Sequence, residues 1–200
     1  SALTIYGRLY CYGVTFRLGA GGATGAAAVI ILASSSNTSV SEHSIFDNCT
    51  FNLNTTTTTV SITTNAGVSA NIHQIGHSQE FRNCTFSYGN SAHYFVPGVS
   101  PKFFNCVWTG TAPTYIFTLS SSGVGILQAS GCDFSNGTNL INANTTDCVQ
   151  FMTFSNCLIP STSVAGTTTS LFSGQIELQG CSSGDNTYEY MLVDARGTRQ

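Results

Sequence analysis

The sequence contains little charge. Only 8% of its 200 residues are Asp, Glu, Lys or Arg, whereas an average domain has about 25%. Six Lys and Arg residues against nine Asp and Glu give a formal net charge of −3. Proteins that bind nucleic acid need many cations to neutralise its phosphates. No nucleic-acid partner is therefore expected.

The sequence also lacks a long apolar segment and a helical pattern. Its longest apolar run, Ala26–Ala33, is far shorter than the about 20 residues that a membrane-spanning helix needs, so membrane insertion is not expected. No stretch combines the Ala, Leu, Glu and Lys content of a good helix with a 3.6-residue period. The polar residues are mainly Ser, Thr, Asn and Gly, and the strand formers Thr, Val, Ile and Phe are frequent. The sequence therefore predicts an all-β fold.

One short motif recurs six times along the chain. It consists of an apolar residue, a variable residue, Asn or Gly, Cys, a variable residue and, in most copies, a second apolar residue. The first copy is Phe46-Asp47-Asn48-Cys49-Thr50-Phe51. The motif cysteines are Cys49, Cys84, Cys106, Cys132, Cys157 and Cys181. Their separations of 35, 22, 26, 25 and 24 residues indicate a repeat of 22–26 residues with one insertion.

The residue before each motif cysteine is predicted to bend the chain. It is always Asn or Gly, and both residue types tolerate the left-handed backbone region. A single residue in that region bends a strand sharply, so the apolar residue two places earlier and the cysteine both face the interior. The predicted bend positions are Asn48, Asn83, Asn105, Gly131, Asn156 and Gly180.

The motif cysteines are expected to form a column of reduced, buried thiols. One cysteine per repeat puts neighbours about 4.8 Å apart with their side chains parallel, which is a poor geometry for a disulfide. Cysteine is small and apolar enough for a crowded interior corner. Unpaired thiols suit folding in a reducing cytoplasm. Cys11 and Cys148 lie outside the column, and their state is left open.

Each repeat has the material for three short strands. Apolar segments such as Tyr115–Leu119 and Gly125–Leu127 accompany the motif. With its period, its Asn/Gly bend and its inward columns, the chain resembles the right-handed parallel β-helix of the pectate-lyase-like superfamily, which includes bacteriophage tailspikes and other virion proteins. The resemblance covers about residues 25–195. It implies a single-stranded parallel β-helix of about six to seven turns, with three short strands per turn.

The resemblance also implies a division of the chain. Residues 1–24 would form an N-terminal strand or cap segment, residues 25–195 the β-helix, and residues 196–200 a polar tail. The long first interval places an insertion at about residues 52–76. Solenoid ends need a cover, and the sequence contains no amphipathic capping helix. One end is therefore expected to be covered by another chain.

The acidic residues were assigned to positions by counting back from the motif cysteines. This places Asp47 beside Arg82 and Glu80 beside Lys102 on one outer face, so exposed ion pairs between adjacent turns are expected. A glycosidase needs two carboxylates about 5–10 Å apart. The alternative interpretation is therefore that Glu42, Asp47 and Glu80 form a sugar-binding or sugar-cleaving site on this face.

No metal or cofactor site is expected. His73 and His77 have a spacing that binds metal on a helix, but Gly76 lies between them and a strand is predicted nearby. The sequence has neither a phosphate-binding loop nor a nucleophile elbow. Several tyrosines are candidates either for a sugar-stacking surface or for strand packing. They are Tyr88, Tyr94, Tyr115, Tyr188 and Tyr190.

The resemblance and the lack of a catalytic constellation lead to one main functional hypothesis. The chain is expected to be a non-enzymatic structural protein of a bacteriophage virion, as a capsid decoration (cement) protein or a short fibre or spike module. It would assemble in the host cytoplasm with other virion proteins and as a homo-oligomer, a trimer by analogy with tailspikes. The alternatives are a tailspike that binds or depolymerises a cell-surface polysaccharide, as a glycoside hydrolase or lyase, and a secreted adhesin-like solenoid.

Overall fold

The computed structural model describes residues 3–5, 9–17, 28–32, 43–53, 60–63, 78–92, 94–96, 101–118, 124–142, 148–161, 163–165, 172–184 and 186–193. The regular structure of these residues is entirely β, without a helix. In chain order the strands are β1 (Leu3–Ile5), β2 (Tyr10–Tyr12), β3 (Thr15–Arg17), β4 (Ala28–Leu32), β5 (His43–Asp47), β6 (Thr50–Leu53), β7 (Val60–Thr63), β8 (Ser78–Arg82), β9 (Thr85–Tyr88), β10 (Tyr94–Val96), β11 (Pro101–Phe104), β12 (Val107–Gly110), β13 (Tyr115–Thr118), β14 (Val124–Ser130), β15 (Asn139–Asn142), β16 (Cys148–Ser155), β17 (Ser163–Ala165), β18 (Phe172–Ser183) and β19 (Asn186–Val193).

The strands form three sheets. The first has seven strands in the order β1-β4-β7-β10-β13-β15-β17, and the second has eight in the order β19-β18-β16-β14-β11-β8-β5-β2. The third has four strands in the order β12-β9-β6-β3. Isolated parallel bridges link Val107 to Asp133, Asp133 to Leu158, and Leu158 to Ser182. They extend the third sheet in the same direction. Up to β18, every strand pairing is parallel.

The chain moves between the sheets in a fixed rotation. A strand of the first sheet is followed by one of the second sheet and then by one of the third, before the chain returns to the first sheet. In the later repeats, a single bridge residue takes the place of the third-sheet strand. Corresponding residues of successive repeats therefore become direct neighbours. Phe46 of β5 pairs with Phe81 of β8, which pairs with Phe103 of β11.

These registers align the apolar residues into buried columns. One column continues from Phe103 through Ala129 and Phe154 to Leu178, and all of these side chains are buried. Side chains alternate between the two faces of a strand. In each strand, the residues directly before and after a column member therefore face outwards. The six motif cysteines form a second column in which no side chain is more than 2% exposed.

Aromatic rings dominate a third column, which follows the cysteines. The ring centroids of Phe16 and Phe51 are 4.9 Å apart, those of Phe51 and Phe86 4.9 Å, and those of Phe86 and Trp108 4.4 Å, all in stacked orientation. Phe134 continues the series at 4.7 Å from Trp108. These separations match the strand spacing of about 4.8 Å. Each pair contributes about 0.5–1.5 kcal/mol beyond the burial of its area.

The backbone bends sharply before each motif cysteine. Asn48, Asn83, Asn105 and Asn156 have φ angles of 51° to 54°, and they are the non-glycine residues with positive φ in the described part of the chain. Gly131 and Gly180 occupy the same place in their repeats, with φ of 64° and 62°. Asn and Gly accept this conformation most readily. One residue therefore redirects the chain from the second sheet into the third.

The two glycine bends also accommodate the asparagine of the preceding repeat. A Cβ atom at position 131 would lie 2.5 Å from Oδ1 of Asn105, and one at position 180 would lie 2.6 Å from Oδ1 of Asn156. Both asparagine side chains therefore lean over the next bend. Glycine leaves room for them without a change of rotamer.

Two parts of the architecture differ from the sequence expectation. The predicted insertion at about 52–76 contains β7, which is an ordinary member of the first sheet between β4 and β10. The threonine tract before Val60 hid this strand in the sequence. At the other end, β19 was expected to continue the parallel arrangement but pairs antiparallel with β18. Gly184, with φ of 55°, begins the reversal, as tight hairpins require.

Other expectations fall on residues that the structure does not describe. They concern the polar tail at 196–200, residues 54–59 and 64–76 of the predicted insertion, and half of the segment 1–24.

Phe81 provides a test of the column packing. Its ring is fully buried and contacts Phe46, Phe51, Phe86 and Phe103 at centroid distances of 5.0 to 5.7 Å. Truncating a buried aromatic residue removes apolar contacts and leaves a cavity, so Phe81→Ala should lower the free energy of unfolding by about 3–5 kcal/mol. Chemical denaturation followed by circular dichroism measures this change.

The matched control is Phe151→Ala. The Phe151 side chain is 48% exposed on the outer face of the same sheet, so its loss should cost about 1 kcal/mol or less. Equal effects of the two substitutions would contradict the inward assignment of Phe81.

Candidate functional site

A group of charged side chains lies on the outer face of the second sheet. Glu80 of β8 is aligned with Ile45 of β5 and Lys102 of β11, while Arg82 is aligned with Asp47 and Phe104. Arg82 donates a hydrogen bond from Nε to Oε1 of Glu80 at 2.6 Å. Nε2 of His43 lies 3.4 Å from the other carboxylate oxygen. Glu80 is therefore the centre of a cluster with His43 and Arg82.

Glu80 points outwards but is buried, which the sequence did not predict. Its side chain is only 12% exposed, whereas those of Arg82 and His43 are 45% and 41% exposed. Counting residues from the motif cysteines correctly separates outward from inward positions. It does not show that long neighbouring side chains cover an outward residue and bury it. A buried carboxylate needs partners for its charge, and His43 and Arg82 provide them.

The ion pairs differ from those expected. Arg82 was expected to pair with Asp47 and Glu80 with Lys102, but Arg82 pairs with Glu80 within one strand. Residues two apart in a strand share a face, and the long Arg side chain can fold back along its own strand. In the described part of the chain, Lys102 forms no ion pair.

Asp47 is bound by the bend of the next repeat. Its Oδ1 accepts a hydrogen bond from Nδ2 of Asn83 at 3.1 Å, so a bend residue also fixes an outer carboxylate. The hydrogen bond to Glu80 raises the pKa of Arg82, and the charges of Glu80 and Asp47 raise it further. The carboxylates of Glu80 and Asp47 are thus both held by neighbouring side chains, and His43 and Arg82 are partly exposed.

This arrangement gives little support for acid–base catalysis. Both oxygens of Glu80 have partners, and Asp47 is held by an amide. A glycosidase needs one carboxyl group poised as acid and a second as base or nucleophile. The third candidate, Glu42, lies outside the described residues. The described carboxylates are suited to structure and recognition.

Two exposed tyrosines border the cluster and were not identified from the sequence. Tyr10 and Tyr12 of β2 are 62% and 65% exposed, and they are aligned with Ile45 and Asp47 of β5. Their alternate positions in one strand put both rings on the outer face. The spacing Tyr-Cys-Tyr was the available signal, but β2 precedes the first motif copy.

Of the tyrosines considered for a sugar surface, Tyr88 and Tyr115 have side chains that the structure describes. Tyr88 is buried, and its hydroxyl accepts a hydrogen bond from Nε1 of Trp108 at 3.2 Å. Of the two roles considered for Tyr88, packing is therefore the one that the structure supports, because the residue is part of the core. Tyr115 is partly buried, and the side chains of Tyr94, Tyr188 and Tyr190 lie outside the description.

The cysteine column is held by hydrogen bonds to the backbone. Each of the six thiols donates to the carbonyl oxygen two residues earlier, at 3.2 to 3.7 Å. Several also donate to the inward residue of the preceding repeat, such as Cys84 to Phe46 at 3.3 Å and Cys106 to Phe81 at 3.4 Å. These carbonyl groups already accept a backbone N–H, as Arg82 does from Asn48 at 2.9 Å. The single S–H of each thiol therefore adds a second, weaker donor at the bend while the sulfur fills the corner.

Seven cysteines are free thiols in the described residues, namely Cys11 and the six of the column. The side chain of Cys148 is not described. Burial raises the pKa of Cys49 and Cys106. The hydrogen bond with Cys132, together with burial, raises the pKa of Cys157 to about 12. Cys49, Cys106 and Cys157 therefore stay protonated at neutral pH, which makes them poor nucleophiles and poor metal ligands. Hydrogen bonds from neighbouring thiols instead lower the pKa of Cys84 and Cys132.

Other candidate sites receive no support. Among the described residues, no group of three or more His, Cys, Asp or Glu side chains is placed to hold a metal ion. His73 and His77 lie outside those residues. The described part of the chain also contains no helix of the length and apolarity needed to cross a membrane.

Comparison of the chain with models of protein families, with curated proteins and with solved structures finds no match.

The raised thiol pKa values predict a pH dependence of stability. A thiol with a pKa near 8.5 when unfolded and about 12 in the folded chain, as for Cys157, binds its proton more tightly in the folded state. Its stabilising contribution is complete below about pH 8.5 and is lost as the pH rises towards 12. Urea unfolding at several pH values should therefore give a free energy of unfolding that falls above pH 8.5.

Cys157→Ala is the control for this effect. The variant is less stable at neutral pH but has one titrating thiol fewer, so its stability should fall less steeply with pH. An unchanged slope would contradict the assignment of the pH dependence to the column.

Proposed function

We propose that the chain forms a right-handed parallel β-helix that serves as a non-enzymatic structural protein of a bacteriophage virion. It would act as a capsid decoration protein or as a short fibre or spike module. The rotation of successive strands through three parallel sheets supports the β-helix. Crossovers between parallel strands of one sheet are right-handed in about 98% of cases, which supports the handedness.

The observation that carries this proposal is the uninterrupted alignment of the interior columns. Ring follows ring at 4.4 to 4.9 Å from Phe16 to Trp108, and the carboxylates of Glu80 and Asp47 on the outer face are held by neighbouring side chains. Such a construction provides stiffness and a wettable surface of low charge. It fits a building block that binds neighbouring proteins and carries out no chemistry.

The thiols support assembly in the host cytoplasm. Seven free cysteines suit a reducing compartment, where virion proteins fold before the particle leaves the cell. A secreted adhesin-like solenoid would be expected to use such cysteines in disulfides. The partners in this proposal are other capsid or tail proteins and further copies of the chain, with a trimer as the form expected by analogy.

Particle association tests the proposal. Peptides of this chain should be found by mass spectrometry in phage particles purified on a density gradient, at a copy number that matches a symmetric position in the virion. Treatment with nuclease should not release them, because nucleic acid is not the partner. Recovery of the protein only in the soluble lysate would defeat the proposal.

The exposed tyrosines favour a second candidate, the binding of a cell-surface polysaccharide. Tyr10 and Tyr12 offer aromatic faces to the apolar faces of sugar rings. Asp47, Arg82 and His43 lie close by and can exchange hydrogen bonds with sugar hydroxyls. This surface combines exposed aromatic rings with side chains that are already held in place, which reduces the entropic cost of binding.

A glycan array and titration of any bound oligosaccharide test this candidate. Tyr12→Ala should weaken binding about tenfold, which corresponds to the loss of one stacking contact. Phe151→Ala removes an exposed ring elsewhere on the sheet and should leave binding unchanged. A reducing-end assay should detect no cleavage, and cleavage abolished by Glu80→Gln would overturn the non-enzymatic assignment.

A further inference from the structure

In the described part of the chain, the outer edge of β2 carries backbone groups that no other strand pairs. On the side of β2 that faces β5, Ile45 N–H donates to the Leu9 carbonyl at 2.8 Å, and Gly13 N–H donates to the Asp47 carbonyl at 3.0 Å. Backbone groups of a strand alternate between its two sides. The N–H and C=O groups of Tyr10 and Tyr12 therefore point away from β5, and in the described part of the chain no strand faces them.

Apart from the shortness of β2, which has three residues, this edge has none of the features that prevent strand addition. Natural edge strands are protected by charged residues, proline or bulges, whereas β2 reads Tyr10-Cys11-Tyr12. The strand at the opposite edge, β19, contains the charged residue Glu189 in its sequence. The two edges of the sheet are thus not equivalent, and β2 is the unprotected one.

The interior columns are also incompletely covered at this edge. Leu9, Cys11 and Phe16 are only partly buried, although they pack against the core. In the next repeat, Phe46 and Phe51 are completely buried. A further strand along β2 would cover the inward side chains as well as satisfying its backbone groups.

We propose that this strand is β2 of a second copy, paired antiparallel about a twofold axis at Cys11. The sequence Tyr-Cys-Tyr reads the same in both directions, so Tyr10 pairs with the partner's Tyr12, and Tyr12 with the partner's Tyr10. Both pairs are of the hydrogen-bonded type and use all the edge groups of the strand. Cys11 then faces the partner's Cys11 in a non-hydrogen-bonded pair.

A second copy fits this edge better than an unrelated strand. Among the registers of β2 with a second copy, only the one centred on Cys11 places every edge-facing residue opposite an edge-facing residue without a frayed end. No charged residue lies in β2, so no like charges are opposed. Twofold contacts of this isologous kind are the commonest form of self-association, and the same sheet already accepts a reversed strand, β19 on β18.

Sedimentation velocity over a dilution series and thiol cross-linking test the proposal. The wild-type chain should form a reversible dimer. Mild oxidation with copper–phenanthroline should join it through Cys11, since directly opposed Cβ atoms in such a pair are about 4.5–5.5 Å apart. Each disulfide transfers two electrons to the added oxidant and releases two protons. Peptide mapping identifies the linked cysteine.

Two substitutions at one position separate backbone pairing from the stickiness of the tyrosine ring. Tyr12→Pro removes the outward N–H, which is not used for pairing with β5, and should weaken the dimer about tenfold or more. Tyr12→Thr removes the ring but keeps the N–H and should retain the dimer. Circular dichroism checks that both variants fold.

The outcomes distinguish the proposal from other forms of association. Cys11→Ser should abolish the cross-link while leaving the dimer intact. A monomer at all concentrations, a cross-link through another cysteine, or an assembly that Tyr12→Pro does not weaken would overturn the proposal. None of these results depends on the role of the chain in a virion.

Discussion

Everything in this molecule depends on placing like side chains above one another at the spacing of hydrogen-bonded strands. A parallel pairing in exact register brings Phe46, Phe81 and Phe103 into one column. The ladder of backbone hydrogen bonds and the stack of rings then have the same spacing, so neither has to distort for the other. Flat rings fill the interior well where other rings lie above and below them, as Phe46 and Phe103 do for Phe81.

The one-residue bend makes this register possible. A residue with positive φ redirects the chain without adding a loop, so every repeat has the same number of residues between its inward apolar residue and its cysteine. The thiol occupies the inside of the corner and donates to the carbonyl two residues earlier, as Cys84 does to Arg82. Alanine would fill less of the corner and would lack this donor. A larger apolar residue would crowd the corner.

The sequence predicted much of this interior because interior residues repeat. The spacing of the cysteines is also the spacing at which β8, β11 and β14 pair, so counting residues was sufficient to identify neighbours. The parallel, all-β character followed from the same pattern. The antiparallel direction of β19 was not predicted, because the apolar residues of its sequence fit a parallel strand and a reversed strand equally well. Its direction depends on Gly184, which is one glycine among twenty.

The outer face was less predictable for a different physical reason. Register determines which residues are adjacent, but long flexible side chains choose among several neighbours. Arg82 lies beside Asp47 of the neighbouring strand β5 and two residues from Glu80 in its own strand β8. It donates its hydrogen bond to Glu80. Asp47 accepts a hydrogen bond from Asn83, whose side-chain amide points outwards at the bend. His43 was overlooked because its position precedes the motif. Side-chain choices of this kind require coordinates.

The bends also restrict how a protein of this type can change its length. Adding one residue between an inward phenylalanine and its cysteine would transfer one of them to the solvent side, because side chains alternate between faces. Adding a complete repeat would only lengthen the stack. Size variation in such a chain is therefore quantised: related proteins should differ by whole repeats or by excursions outside the strands, and single-residue insertions should be confined to those excursions.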